Sequence, residues 1–85
     1  MENVVASDVV GVNEMVCKSF KLSFGVRDFG ALENICFALE SKYNFPSLKQ
    51  SIFFKAAFLL KALAERHCFL DGNKTTALVV TETFI

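Results

Sequence analysis

Chain breakers are scarce here: one proline (Pro46) and four glycines (Gly11, Gly25, Gly30, Gly72) punctuate 85 residues. So few breakers argue against a strand-rich fold with many turns and for helices joined by short connections. Repeats and low-complexity tracts are also missing. Nor is there an excess of one charge, because nine Lys+Arg balance nine Asp+Glu. A nucleic-acid backbone would call for a basic stripe, and none is visible, so direct nucleic-acid binding is not expected. Three cysteines (Cys17, Cys36, Cys68) form an odd set without metal-ligand spacing. They read as buried thiols of a reducing compartment rather than as a disulfide framework. The most apolar run, Ile52 to Ala64, is broken by Lys55 and Lys61 and is too short to span a bilayer. Glu2 stands where a secretory leader would carry positive charge. The expected location is therefore the cytoplasm, with no membrane partner.

What the chain does have is apolar material. Hydrophobic residues make up 53%, ten residues are Phe, and the mean hydropathy is +0.41. A domain of this size buries only about 60% of its unfolded surface. Some of the surplus is therefore expected to face a partner, another copy of the chain, or a part of the fold that the chain lacks.

The pattern predicts helices. Ser7 or Asp8 can cap the first, with Val9, Val12, Val16 and Phe20 on its buried face, and Gly25 breaks the chain after it. Asp28 can cap the second, where Leu32, Ile35, Cys36, Leu39 and Tyr43 form the apolar stripe; Asn44-Phe45-Pro46 ends it. Ser47-Leu48-Lys49-Gln50 has the form of a capping box. The helix behind it runs to about Arg66 and is apolar on nearly all sides, which predicts a central, surrounded element. Beyond Gly72 the tail is ambiguous. Thr75, Thr76, Val79, Val80, Thr81 and Thr83 permit a strand, whereas a helix opening at Asn73 would put Ala77, Leu78, Val80, Phe84 and Ile85 on apolar faces. Nothing closes that helix by Ile85.

Chemistry concentrates in His67-Cys68-Phe69-Leu70-Asp71-Gly72-Asn73-Lys74, which holds the only histidine. With an ordinary pKa of about 6.5, His67 is the natural general base, although a histidine at a helix C-terminus is also simply a favourable cap. Asp71 has the character of a Mg²⁺ ligand beside a phosphate loop, and an Asp-Gly turn would explain it equally well. Gly72 and Asn73 allow backbone N–H groups to converge on an anion at a helix N-terminus. Lys74 opposes the helix dipole in that first turn, which makes sense if an anion lies between; a solvated lysine there costs only tenths of a kcal/mol. Phe69 is expected to point inward and anchor the loop, so that His67 and Asp71 face one pocket.

These eight residues resemble the His-x-Phe-x-Asp/Glu-Gly-Asn signature of the Fic/Doc family, and Lys74 in place of glycine resembles its Doc (death-on-curing) branch. Gly25-Val26-Arg27-Asp28-Phe29-Gly30 is similar to the Gly-Leu-Arg-Asp-x-Gly turn of Doc-like chains. The stretch from Lys55-Ala56-Ala57 to Leu63-Ala64 resembles the helix leading into the motif. The resemblance covers nearly the whole chain. It implies one domain over residues 1–85, an all-α bundle with the motif loop between two central helices and the family's C-terminal helices missing.

Fic members transfer AMP from ATP to a protein hydroxyl. Doc-type members transfer the γ-phosphate, with elongation factor Tu as target, and are held inactive by a small antitoxin whose C-terminal segment folds into a groove. By match, His67 would deprotonate the target hydroxyl and Asp71 would hold Mg²⁺. Gly72, Asn73, Lys74 and the following Thr75 would lie along the ATP phosphates. The Ser/Thr-x-x-x-Glu-Gly/Asn inhibitory motif of some Fic proteins is not in the chain.

Thr75 is the main departure, because the family places an arginine there. Arginine clamps phosphate bidentately and threonine cannot; such a loss costs on the order of a few kcal/mol of transition-state stabilisation. Three functional readings follow: a Doc-like phosphotransferase toxin weakened by Thr75, a Fic-type AMP-transferase, and an inactive or truncated member that only binds a partner. A small helical domain with a chance motif is the plain alternative.

Overall fold

The computed structural model describes residues 4–84. They form four helices: α1 (Ala6–Phe20), α2 (Phe29–Ser41), α3 (Leu48–Glu65) and α4 (Asn73–Phe84). The fold is all-α, with no strand among the described residues and one isolated antiparallel bridge, Val26 to Phe69.

Helix α1 starts earlier than its polar residues suggest. Val5, in extended geometry, is the N-cap and offers no side-chain cap. Its carbonyl accepts from Asp8 N and Val9 N at 3.0 and 3.2 Å, which places Ser7 and Asp8 inside the first turn. Asp8 then acts through the helix dipole and not as a cap. The helix ends at Lys21, which is left-handed (φ 56), before Gly25 is reached. Val9 and Val16 are buried as expected, joined by Ala6, Asn13 and Cys17. Phe20 is 63% exposed and not on the buried stripe.

Asp28 caps α2 as its position predicts, its Oδ1 accepting from Ala31 N at 2.9 Å. The stripe Leu32, Ile35, Cys36 and Leu39 is buried. Tyr43 leaves it, because α2 stops at Ser41 and Tyr43 takes a left-handed φ of 58. There it stacks on Phe54, with ring centroids 5.9 Å apart.

Ser47 caps α3 by accepting from Gln50 N at 3.3 Å. The helix itself is not surrounded. Ser51, Ala56, Leu59 and Leu63 are buried, but Leu48 is 71% and Phe53 66% exposed. Its inner face packs most extensively on α4. The ambiguous tail is helical: Ala77, Val80 and Phe84 are buried with Thr76 and Thr81, while Leu78 is exposed. Burial of that face against α3 and α1 overrides the β propensity of its threonines and valines. Ile85 lies outside the described residues.

Candidate active site

The His67–Lys74 segment is the turn between α3 and α4, and its course follows from two left-handed residues. His67 (φ 51) ends α3 behind the Arg66 cap, and Gly72 (φ 71) opens α4. Side chains rarely adopt such a φ, so His67 carries strain of the order of 1 kcal/mol. The reversal leaves His67 exposed and turns Cys68 and Phe69 inward, where they are 0% and 2% exposed. Gly72 has a further reason to be glycine. A Cβ there would lie 3.3 Å from Val16 Cγ1 and 3.5 Å from Asn13 Nδ2.

Three clamps hold the turn. In the first, the Asn73 side chain folds back on Phe69, accepting from its N–H at 3.1 Å and donating to its carbonyl at 3.0 Å. The Asn73 carboxamide is thus spent on the loop, and its backbone N–H is what remains for a ligand. The second is the α1–α2 connection: Arg27 N donates to Cys68 O at 2.7 Å and Leu70 N to Gly25 O at 2.9 Å. A Cβ at Gly25 would approach Leu70 Cγ to 2.9 Å, so the exposed Leu70 side chain would have to move aside for any larger residue. Third, Asn13 on α1 donates to Asp71 O at 2.9 Å and to Thr76 Oγ1 at 3.0 Å.

Asp71 is exposed, and its Oδ1 accepts from Gly72 N at 2.9 Å. The first α-helical bond of α4 runs from Thr76 N to Gly72 O. The N–H groups of Asn73, Lys74 and Thr75 therefore have no acceptor within the helix. They crown a helix N-terminus that carries exposed Lys74 and half-buried Thr75. This donor set suits the oxygens of a phosphate. Among the described residues no group of three or more His, Cys, Asp or Glu is arranged to hold a metal ion. A preformed protein cage does not fit this site. A hard cation that shares Asp71 with phosphate oxygens and water does.

The thiols are poor nucleophiles. Burial pushes Cys17 above its ordinary value, and the Asp71 charge adds to it. Burial likewise raises Cys68, with Arg66 opposing and Asp28 adding. Cys36 is raised by burial and then by Cys68, Glu40 and Glu33. All three stay protonated at neutral pH, which disfavours thiolate chemistry in the loop. A cleft of 330 Å³, lined by Leu39, Phe45, Ile52, Lys55 and Phe84 among others, lies towards the other end of α3 and does not include the motif.

Asn13 and Thr76 make the hydrogen bond between side chains that ties α1 to α4, and neither was singled out by the sequence pattern. The one available signal was an asparagine between Val9 and Val16 on an otherwise apolar helix face.

The Fic/DOC family model matches residues 8–85, and the chain belongs to the Fic/DOC family. No curated protein and no solved structure matches it. Members of this family generally use a nucleotide with a metal ion and are often paired with antitoxins. No helix among the described residues is long and apolar enough to cross a membrane.

Proposed function

We propose that this chain is a Doc-like toxin of a toxin–antitoxin pair, acting in the cytoplasm as one domain over residues 1–85. Its reaction transfers the γ-phosphate of ATP to a hydroxyl of a protein resembling elongation factor Tu. The observation that carries the reading is the first turn of α4, where open N–H groups of Asn73, Lys74 and Thr75 adjoin the Asp71 carboxylate and the Lys74 charge. His67, exposed at the other end of the loop, takes the proton of the target hydroxyl as its oxygen bonds to phosphorus. Asp71 holds Mg²⁺ together with the phosphates, and Phe69 anchors the loop between these groups. ATP supplies the phosphoryl group, and ADP leaves as the bond to the γ-phosphorus breaks.

Incubation with ATP labelled at the γ-phosphate and with elongation factor Tu tests this. Label on the target that disappears in His67→Ala is the expected result. Thr75→Arg restores the clamp and should raise the rate at least tenfold, about 1.4 kcal/mol of transition-state stabilisation. No γ-label on the target, even with Thr75→Arg, overturns the reading. Label arriving from the α-phosphate instead assigns the Fic-type AMP transfer.

A second reading is favoured by Thr75 itself and by the exposed apolar surface of α3. In it the chain is an inactive member that binds an antitoxin or another helical partner. Transfer activity that depends on His67 excludes it.

A further inference from the structure

Asn13 is the least expected polar residue of the fold. Its relative exposure is 0%, on a helix face otherwise made of Ala6, Val9, Val16 and Cys17. Burying a carboxamide costs several kcal/mol unless its hydrogen bonds are made. Asn13 makes them with the motif. Its two donor bonds go to Asp71 O and Thr76 Oγ1, 58 and 63 residues away in sequence, and its Oδ1 accepts from the Cys17 thiol at 3.7 Å. The two acceptors bracket Gly72, whose missing Cβ would come within 3.5 Å of the same Nδ2.

This arrangement has a directional consequence. With the Asp71 carbonyl drawn inward to Asn13, the Asp71 carboxylate is left at the surface, bonded to Gly72 N. With the Thr76 hydroxyl held by the same amide, the first turn of α4 is tied to Asp71 through one side chain. An apolar residue of similar volume would fill the space but leave the Asp71 carbonyl and Thr76 hydroxyl without this partner. The cost of a buried asparagine is understandable if the orientation of these groups matters.

We propose that Asn13 is a positioning residue: through Asp71 and Thr76 it sets the Asp71 carboxylate against the open N–H groups of α4, so that one phosphate and its cation meet both. The role rests on the phosphotransfer reading above. It is tested on the full chain with inorganic phosphate and with Mn²⁺ as the hard cation. Phosphate binding is followed by the amide shifts of Asn73, Lys74 and Thr75, and Mn²⁺ binding by paramagnetic broadening around Asp71.

Asn13→Leu should keep the helical circular dichroism while both affinities fall tenfold or more. Thr76→Val should lose part of the affinity, and Thr76→Ser should restore it. Thr76→Val carries the same test if Asn13→Leu loses its helical signal. Affinities within twofold of the unsubstituted chain in a folded variant overturn the positioning role and leave the phosphotransfer reading standing. If affinity depends on Asn13 but no γ-phosphate is transferred, the positioning role stands and the phosphotransfer reading falls. No response of the unsubstituted chain to either probe overturns the positioning role, and the γ-label assay decides the phosphotransfer reading separately.

Discussion

Gly72 shows how much of this site depends on single residues. Its left-handed φ strains any side chain, and a Cβ there would press on Val16 Cγ1 at 3.3 Å. Gly72→Ala should cost about 1–3 kcal/mol, measured as a lowered urea midpoint, and should reduce phosphate affinity as Asp71 turns away. The thiols give a second test at this scale. A raised folded-state pKa means that the native chain holds its protons more tightly than the unfolded one. The resulting stability is fully present below the unfolded thiol pKa of about 8.5 and is lost as pH rises through the higher native values. Stability to urea should therefore decline above about pH 9, and Cys17→Ala, Cys36→Ala and Cys68→Ala combined should flatten that decline. Residues with local partners were readable in advance: Asp28 and Ser47 cap the helices they precede. Asn13 was not, because its partners lie 58 and 63 residues further along.

At the scale of elements, periodicity located α1, α2 and α3 and left α4 open between helix and strand, and it could not say what each helix faces. α3 is greasy all round, and hydrophobicity does not distinguish a face covered by the same chain from one left for another. Here Ala56, Leu59 and Leu63 are covered, while Phe53 and Leu48 are open. Phe53→Ser should change stability by no more than about 0.5 kcal/mol, as for a surface position. If the open face joins copies of the chain, the same substitution should abolish concentration-dependent self-association in sedimentation. Self-association that persists unchanged excludes α3 from the contact. For α4 the difficulty was different. Its threonines and valines carry a local preference for strand, and tertiary burial of Ala77, Val80 and Phe84 reverses it.

The molecule as a whole measures 42 × 22 × 19 Å. Its cross-section is about two helix diameters of 10–12 Å, so each helix can bury one face and no more. A chain with 53% hydrophobic residues must then leave aromatic rings in the open. The core is correspondingly thin, and each wholly buried side chain counts. Leu59→Ala, at a position with 0% exposure, should cost about 2–5 kcal/mol. Against a total of about 5–15 kcal/mol for native domains, that is enough to bring the midpoint of thermal unfolding sharply down by calorimetry.

The clamps on the motif turn also bear on the order in which the chain folds. The bridge from Val26 to Phe69 and the bonds from Asn13 to Asp71 and Thr76 join segments distant in sequence. Closing such loops costs entropy before any contact offsets it, so they form after the local turns of α1 and α2. The geometry of the motif turn thus depends on tertiary contacts between distant segments. Loosening α1 would remove the Asn13 bonds to Asp71 and Thr76, leaving the turn held by the Asn73 carboxamide and the Gly25–Arg27 connection.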